Sequence, residues 1–456
     1  MKKIICSLIL VSVIAAGCSS VRTNTEFYGP IMNGVKAGDF EKANAALDSA
    51  FNNEEYAEKD RVLYYLDRGA LLYYAGRYAE SSGAFEKADF AMEDLFTKSI
   101  SKAAASMLLN DNALDYSGEV YENIYVNVFS ALDYIARDDI DGAYVEANRV
   151  NIKLRQLEDK YNAYVDNFNA SKDAKIKLEP KKLDYYNNAL ANYLSHIIFR
   201  AEGEYDNSRI SLEKLDSAWA MHPDVYNFSK PSFVKNAPSA NNKTLLNVMA
   251  FAGNAPEKQA ENLRIMTFDD FLIVQFPDHE SAPIIFPGLK QGWYFKFSMP
   301  SLTPSKSDVK KIEVYANDKK VGSLELLENM NNVAVKTFEM QKSIIYFKSI
   351  LRTVLKGIGS AELKQSVRKS TGEGLGGFLS NLLVDIAVDA TENADLRCWR
   401  TMPGYCYAGE FELEEGEYNI DIVFLDGGNK PISKTTYSNY KLNKKGLNLL
   451  NASCLN

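Results

Sequence analysis

Residues Arg61–Asp89 read RVLYYLDRGALLYYAGRYAESSGAFEKAD, and this stretch sets the character of the N-terminal half. It parses as two amphipathic helices joined at Gly76-Arg77-Tyr78. Bulk falls at Tyr65, Leu66 and Leu72 on the first helix and at Phe85 on the second, while Gly69, Ser81 and Ala88 leave gaps. Large and small residues alternating at three- and four-residue spacing let the ridges of one helix sit in the grooves of the next. That spacing predicts Gly69 facing Ala88 where the two helices cross.

Relatives of this pair flank it. Gly38-Asp39-Phe40 with Ala43, Leu47 and Ala50 repeats the pattern of Gly76-Arg77-Tyr78 with Ser81, Phe85 and Ala88. Asp138-Asp139-Ile140 with Ala143, Ala147 and Val150 is a third copy, and Gly203-Glu204-Tyr205 with Ser208, Leu212 and Leu215 a fourth. The anchors stand 38, 62 and 65 residues apart, so the array is irregular. Asp115-Tyr116-Ser117-Gly118-Glu119 reads as a turn opening a further long helix. The alternation of small and large residues resembles the tetratricopeptide repeat (TPR). A helix pair of this kind buries its apolar face only by stacking on neighbours, which predicts a TPR-like α-solenoid over 27–222 that folds alone. The Asn/Ser/Pro-rich stretch 223–243 reads as a linker.

From Leu245 the period changes to alternation. Strands are expected at Leu245–Phe251, Phe271–Phe276, Ile284–Phe286, Trp293–Ser298, Lys311–Tyr315 and Val321–Leu327, the last two joined by the turn Asn317-Asp318-Lys319-Lys320. Ser343–Ser370 and Leu375–Asn393 return to helical spacing and read as a hairpin turning around Thr371–Gly377. Strands resume at Tyr405–Leu413, Tyr418–Leu425, Ser433–Ser438 and Gly446–Ser453. The expected fold is α+β and multidomain. The solenoid is followed by an antiparallel β-sandwich-like domain over 244–456, with a helical hairpin inserted at 343–393.

The chain opens MKKIICSLILVSVIAAGCSS. Lys2 and Lys3 precede an apolar run, Ile4–Ala16, too short to span a bilayer, so 1–17 reads as a cleaved export signal. The ending Ala15-Ala16-Gly17-Cys18 resembles a bacterial lipobox. That resemblance implies acylation of Cys18, with 18–26 as a lipidated tether and the membrane as a partner. Ser19 stands where an inner-membrane retention Asp would sit, which points to the outer membrane, facing the periplasm. Without residues 1–17, which hold two lysines and no acid, the net charge moves from −8 to −10. That balance argues against a nucleic-acid partner, which requires a basic surface to meet phosphates.

Five cysteines occur. Beyond Cys6 and Cys18, a disulfide between two of Cys398, Cys406 and Cys454 is open, with the pairing undetermined. The three histidines, His196, His222 and His279, thin out most catalytic and metal schemes. His196, between Leu194 and Ile197, reads as packed and not as a ligand. Gly372–Gly377 matches G-x-G-x-x-G, but a helix precedes it where a dinucleotide site needs a strand, so no cofactor is expected. Asp395, Arg397, Trp399 and Arg400 form a candidate interaction cluster. An Arg–Asp pair beside Trp suits an acidic glycan or a partner carboxylate, or else a structural knot where the hairpin re-enters the sheet.

Asp115–Glu122, Val126-Asn127, Ala131-Leu132, Glu146–Asn151, Ala255-Pro256 and Ala394–Pro403 together resemble an uncharacterised family of bacterial lipoproteins. That resemblance implies a TPR-like N-terminal side and a β-rich C-terminal side, and it carries no activity or catalytic residue. The chain reads as a binding protein and not an enzyme. The expected role is a protein–protein interaction scaffold for another envelope protein. The alternative is a glycan- or peptidoglycan-binding module, or an accessory factor of cell-wall assembly.

Overall fold

Four helix hairpins fill the N-terminal half: α1 (Tyr28–Ala37) with α2 (Phe40–Asn52), α3 (Arg61–Tyr74) with α4 (Tyr78–Ser101), α5 (Val120–Ala136) with α6 (Ile140–Asn169), and α7 (Ala189–Ala201) with α8 (Tyr205–Met221). The computed structural model describes residues 25–101, 111–169, 188–235, 244–277, 283–285, 289–357 and 394–456. The export signal, Cys18, Gly372–Gly377 and the second helix of the expected hairpin lie outside the described residues.

All four turns share one design. Gly38, Gly76, Asp138 and Gly203 take left-handed φ of 69°, 74°, 61° and 77°. Each donates its N–H to the carbonyl three residues back, and the next residue donates to the carbonyl five back, as in Asp39 to Gly34 and Asp139 to Tyr134. This is the Schellman stop, and glycine suits its left-handed position because it carries no Cβ. Five residues past each turn stands a small, fully buried side chain: Ala43, Ser81, Ala143 or Ser208. Ser81 donates its hydroxyl to the Gly69 carbonyl at 2.9 Å, and Ser208 does the same to His196 at 2.9 Å. The Gly69 crossing is therefore made with Ser81 and Phe85: a Cβ at Gly69 would come within 2.6 Å of the Phe85 ring. The expectation that Ala88 fills this contact is corrected by one helical turn.

Twelve described strands form three four-stranded sheets. The central sheet has order β12-β1-β9-β8, from β1 (Thr244–Asn254), β8 (Glu325–Asn329), β9 (Pro403–Leu413) and β12 (Leu449–Cys454). The outer sheet has order β11-β10-β6-β7, from β6 (Lys311–Ala316), β7 (Lys319–Ser323), β10 (Gly416–Leu425) and β11 (Pro431–Leu442). The side sheet has order β4-β3-β2-β5, from β2 (Glu257–Phe268), β3 (Phe271–Gln275), β4 (Ile284–Ile285) and β5 (Tyr294–Thr303). Neighbours are antiparallel except β1 and β12, which run parallel. The single strand expected at Val321–Leu327 is two, because Leu324 passes from the outer sheet to the central one. The helix expected from Ser343 starts at Met330, as α9 (Met330–Gly357), where the Asn329 side chain accepts the Asn332 N–H at 3.3 Å.

β1 explains how the layers hold together. Leu246, Val248, Ala250 and Ala252 share a core with Ile312 and Val314 of β6 and with Ile420, Ile422 and Phe424 of β10. On its other face Met249 and Phe251 enter the core of the helices. A strand buried on both faces reads as a near-continuous apolar run, as LLNVMAFA does with Asn247 its one polar member. Helices lie N-terminal and strands C-terminal, yet one core spans both. Phe251 packs 5.2 Å from Phe129 of α5, which in turn lies 5.9 Å from Phe85 of α4.

Candidate functional site

The segment 394–402 carries the cluster singled out in the sequence, and every member of it faces inward. Arg397 uses all five of its N–H donors: two on Asp395 at 2.9 and 2.7 Å, one on Asp60 at 2.8 Å, and two on the Leu114 and Asp111 carbonyls at 3.0 and 2.7 Å. Burial pulls this guanidinium down, but Asp395 and Asp60 outweigh it and hold it above its ordinary value. Burial likewise works against the charge of Asp395, and Arg397 overrides it to hold the carboxyl below its usual range. Trp399 has no exposed surface; its ring lies 5.7 Å from Phe85 and 5.8 Å from Phe129. Its backbone N–H donates to Glu122 at 2.7 Å. Arg400 stacks its guanidinium 5.0 Å from the Tyr28 ring and bonds Glu257 at 3.0 Å. The contacts of this cluster are internal to the protein, and Trp399 has no exposed face.

Two buried carboxyls, Asp67 and Glu122, hold this segment, and two more, Glu328 and Asp133, lie elsewhere in the core. Asp67 accepts from Tyr28 at 2.7 Å, Tyr56 at 2.9 Å and Thr401 at 2.8 Å; burial pushes it up to about 6 against those bonds. Glu122 closes a capping box with Glu119 at the start of α5, and burial with the Glu119 charge pushes it up to about 7. Glu328 accepts the Leu190 N–H at 3.0 Å at the positive end of α7, and burial pushes it up to about 8. Asp133 sits among Tyr73, Tyr78 and Ser81, and burial pushes it up to about 8. Ser81 does not relieve it, because its one proton goes to Gly69. His196 is packed as expected; its Nδ1 lies 3.0 Å from the Ser208 carbonyl, and burial pushes it down to about 4.

Cys398, Cys406 and Cys454 are buried free thiols. Cys406 and Cys454 pair with Phe251 and Ala252 on opposite sides of β1. Two strand spacings, ~9.6 Å, separate such positions, beyond the ~7 Å Cα limit for a disulfide. Burial pushes the Cys398 thiol up to about 12, which makes it inert.

The described surface also carries an open groove away from the 394–402 segment. This groove, of about 560 Å³, runs between α3, α4 and α6, lined by Arg61, Tyr65, Lys87, Asp89, Phe90 and Arg149 among others. Buried Asp89 fixes its floor, pairing with Arg149 at 2.6 Å and with Lys153. Burial pushes the Lys153 ammonium down against the pull of Asp89. Lys87 lies 5.9 Å over the Tyr65 ring. Phe90 is 76 % exposed, the most of any large apolar side chain among the described residues. Val145 and Ile152, both exposed, stand one turn either side of Arg149 on α6 and extend the apolar surface along one helical face. Nothing in the sequence reading singled out Phe90. Its signal was phase: it falls on the polar side of the stripe set by Phe85, Ala88 and Met92.

Comparison with protein-family models, curated proteins and solved structures returns no match for this chain. Among the described residues no three metal-ligating side chains converge, and no helix is long and apolar enough to cross a membrane.

Proposed function

We propose that this chain is an envelope lipoprotein held at the outer membrane by acylated Cys18, and that its helical half is a TPR-like solenoid docking another envelope protein. In this reading the central and outer sheets form a sandwich-like support. The observation that carries it is Phe90, presented to solvent beside a pinned Arg149 in an open groove. An exposed aromatic next to an arginine of fixed position is the composition of an interface hot spot. The exposed apolar residues on α4 and α6 make a surface that an amphipathic partner helix fits.

The experiment is photo-crosslinking in intact cells from a reporter at Phe90. Capture of one defined envelope protein, weakened at least about tenfold by Arg149→Glu as expected for a hot-spot residue, supports the reading. Capture of murein alone overturns it in favour of the glycan-binding alternative, whose aromatic candidate, Trp399, is buried. The anchor is tested by Cys18→Ser: a variant that still fractionates with membranes as a mature-size species refutes acylation at Cys18.

A further inference from the structure

The side sheet has two unlike faces. Leu263, Ile265, Leu272, Val274, Phe297 and Met299 are buried on the face toward α9. On the opposite face the register sets residues in rows across the strands. Phe271 pairs with Phe268, their rings stacked at 4.8 Å, and Phe271 also pairs with Ile285. The next row is Ile273, Met266 and Tyr294, and the one after that Gln275, Arg264 and Lys296. Tyr294 is 52 % and Ile285 63 % exposed.

Arg264 and Lys296 are directly opposed, both exposed, and among the described residues neither makes an ion pair. Like charges directly across a strand pair repel unless an anion lies between them. Two unanswered cations one row behind an exposed apolar edge form an amphipathic surface of the interfacial kind: apolar side chains enter the acyl boundary while the cations meet phosphates. Of the acids of the β2–β3 turn, Asp269 pairs with Lys290 at 4.0 Å and accepts the Gln291 N–H at 3.4 Å.

Chain length supplies a second argument. β2 begins at Glu257, which Arg400 ties to Tyr28 at the start of α1. Ten residue steps from Cys18 to Tyr28 reach at most ~33–36 Å. The nine steps of β2 from Glu257 to Met266 extend ~31 Å from the same place. A lipid on Cys18 and the apolar rows of the side sheet can therefore lie in one plane.

We propose that this outer face, with Arg264 and Lys296 on headgroup phosphates and Met266, Ile273, Ile285 and Tyr294 at the acyl boundary, rests on the anionic phospholipid surface that holds Cys18. The proposal rests on the lipid-anchor reading above.

The test uses the acylated full chain carrying Tyr294→Trp, reconstituted into vesicles of neutral phosphatidylcholine or of phosphatidylcholine with phosphatidylglycerol, both bearing brominated acyl chains. Emission from position 294, taken as the difference from the same chain keeping Tyr294 so that Trp219, Trp293 and Trp399 cancel, should fall by about half in the anionic vesicles, as expected for a side chain at the acyl boundary. Adding Arg264→Glu with Lys296→Glu should abolish that quenching, since each cation near an anionic surface contributes about fivefold to partitioning. Unquenched emission with acyl chains on Cys18, seen by mass spectrometry, overturns the face and leaves the anchor standing. Quenching without acylation refutes the anchor and supports the face. Quenching indifferent to the charge reversal overturns the proposal, as does a response to soluble oligogalacturonate but not to anionic vesicles.

Discussion

The helix turns and the 394–402 segment solve the same problem, satisfying backbone and charge at a change of direction, by opposite means. Each turn is self-contained: Gly76 and Arg77 donate to carbonyls three and five residues back and need nothing else. The 394–402 segment has almost no structure of its own. Arg397 reaches Asp60 and Leu114, Trp399 reaches Glu122, and Thr401 reaches Asp67, all more than 270 residues earlier. Local devices can be exchanged one at a time, whereas a knot of long-range bonds fails as a unit. The helices, which pack directly on one another, are thus also tied together by a piece of chain from the far end of the sequence.

The strongest way to break this contrast is to cut the chain. Residues 27–222 alone would bare Phe85, Phe129 and the other partners of Trp399 and Phe251. We expect that fragment to keep helical far-UV signal, lose near-UV signal and bind a hydrophobic dye, as partly folded states do. A cooperative melt from the fragment would restore the independent solenoid that its repeats suggested. Next in size is Arg397→Met, which leaves Asp60 and Asp395 without their cation; removing one partner of a buried pair costs ~3–5 kcal/mol, readable in urea unfolding. A loss under ~1 kcal/mol would show that the knot is ornamental.

The buried carboxyls sharpen the comparison through pH. Glu328 and Asp133 near 8 and Glu122 near 7 are all raised above their unfolded values, so the folded state holds more protons and stability falls as pH rises through these values. His196, pushed down to about 4, opposes this only below its unfolded value of ~6.5. Melting temperature should therefore rise by several degrees as pH falls from 8 toward 6.5, and Asp133→Asn should flatten that slope. A flat profile in the parent would place these acids in contact with water.

Smaller effects belong to the turns. Gly69→Leu drives bulk into the Phe85 ring and should cost ~1–3 kcal/mol in thermal melts. Gly76→Ala puts a Cβ at φ 74° and should cost ~1 kcal/mol, while Asp138→Gly should be neutral or mildly stabilising. If both turn variants are silent, the Schellman stops are not the elements that define the repeats.

What could be read in advance follows the same division. Gly38, Gly76, Asp138 and Gly203 were legible because a left-handed stop followed five residues later by a small residue is a local code. The turn at Asp115–Glu119 was legible as a helix start, but the capping box that Glu119 makes with Glu122 emerges only in the structure. β2 was missed: EKQAENLRIMTF starts polar, and its register is set by β5 and β3, not by its own alternation. The cluster at 395–400 could be located but not oriented, because an Arg–Asp pair beside Trp looks the same in sequence whether it meets solvent or Asp60. Phe90 went unnoticed because one apolar residue out of phase is common, and only exposure within a groove gives it meaning.

The pairing of β1 has a consequence for biogenesis. Its partners are β9, some 150 residues later, and β12, some 200 residues later. While a ribosome is still making those segments, LLNVMAFA has no native neighbour on either edge. Such a run is prone to cross-β association, and pairing across long sequence separation is slow. The vulnerable moment for this protein is therefore synthesis, not the finished fold. Holdase chaperones should dwell on residues 244–252, and overproduction without them should yield aggregates nucleated there.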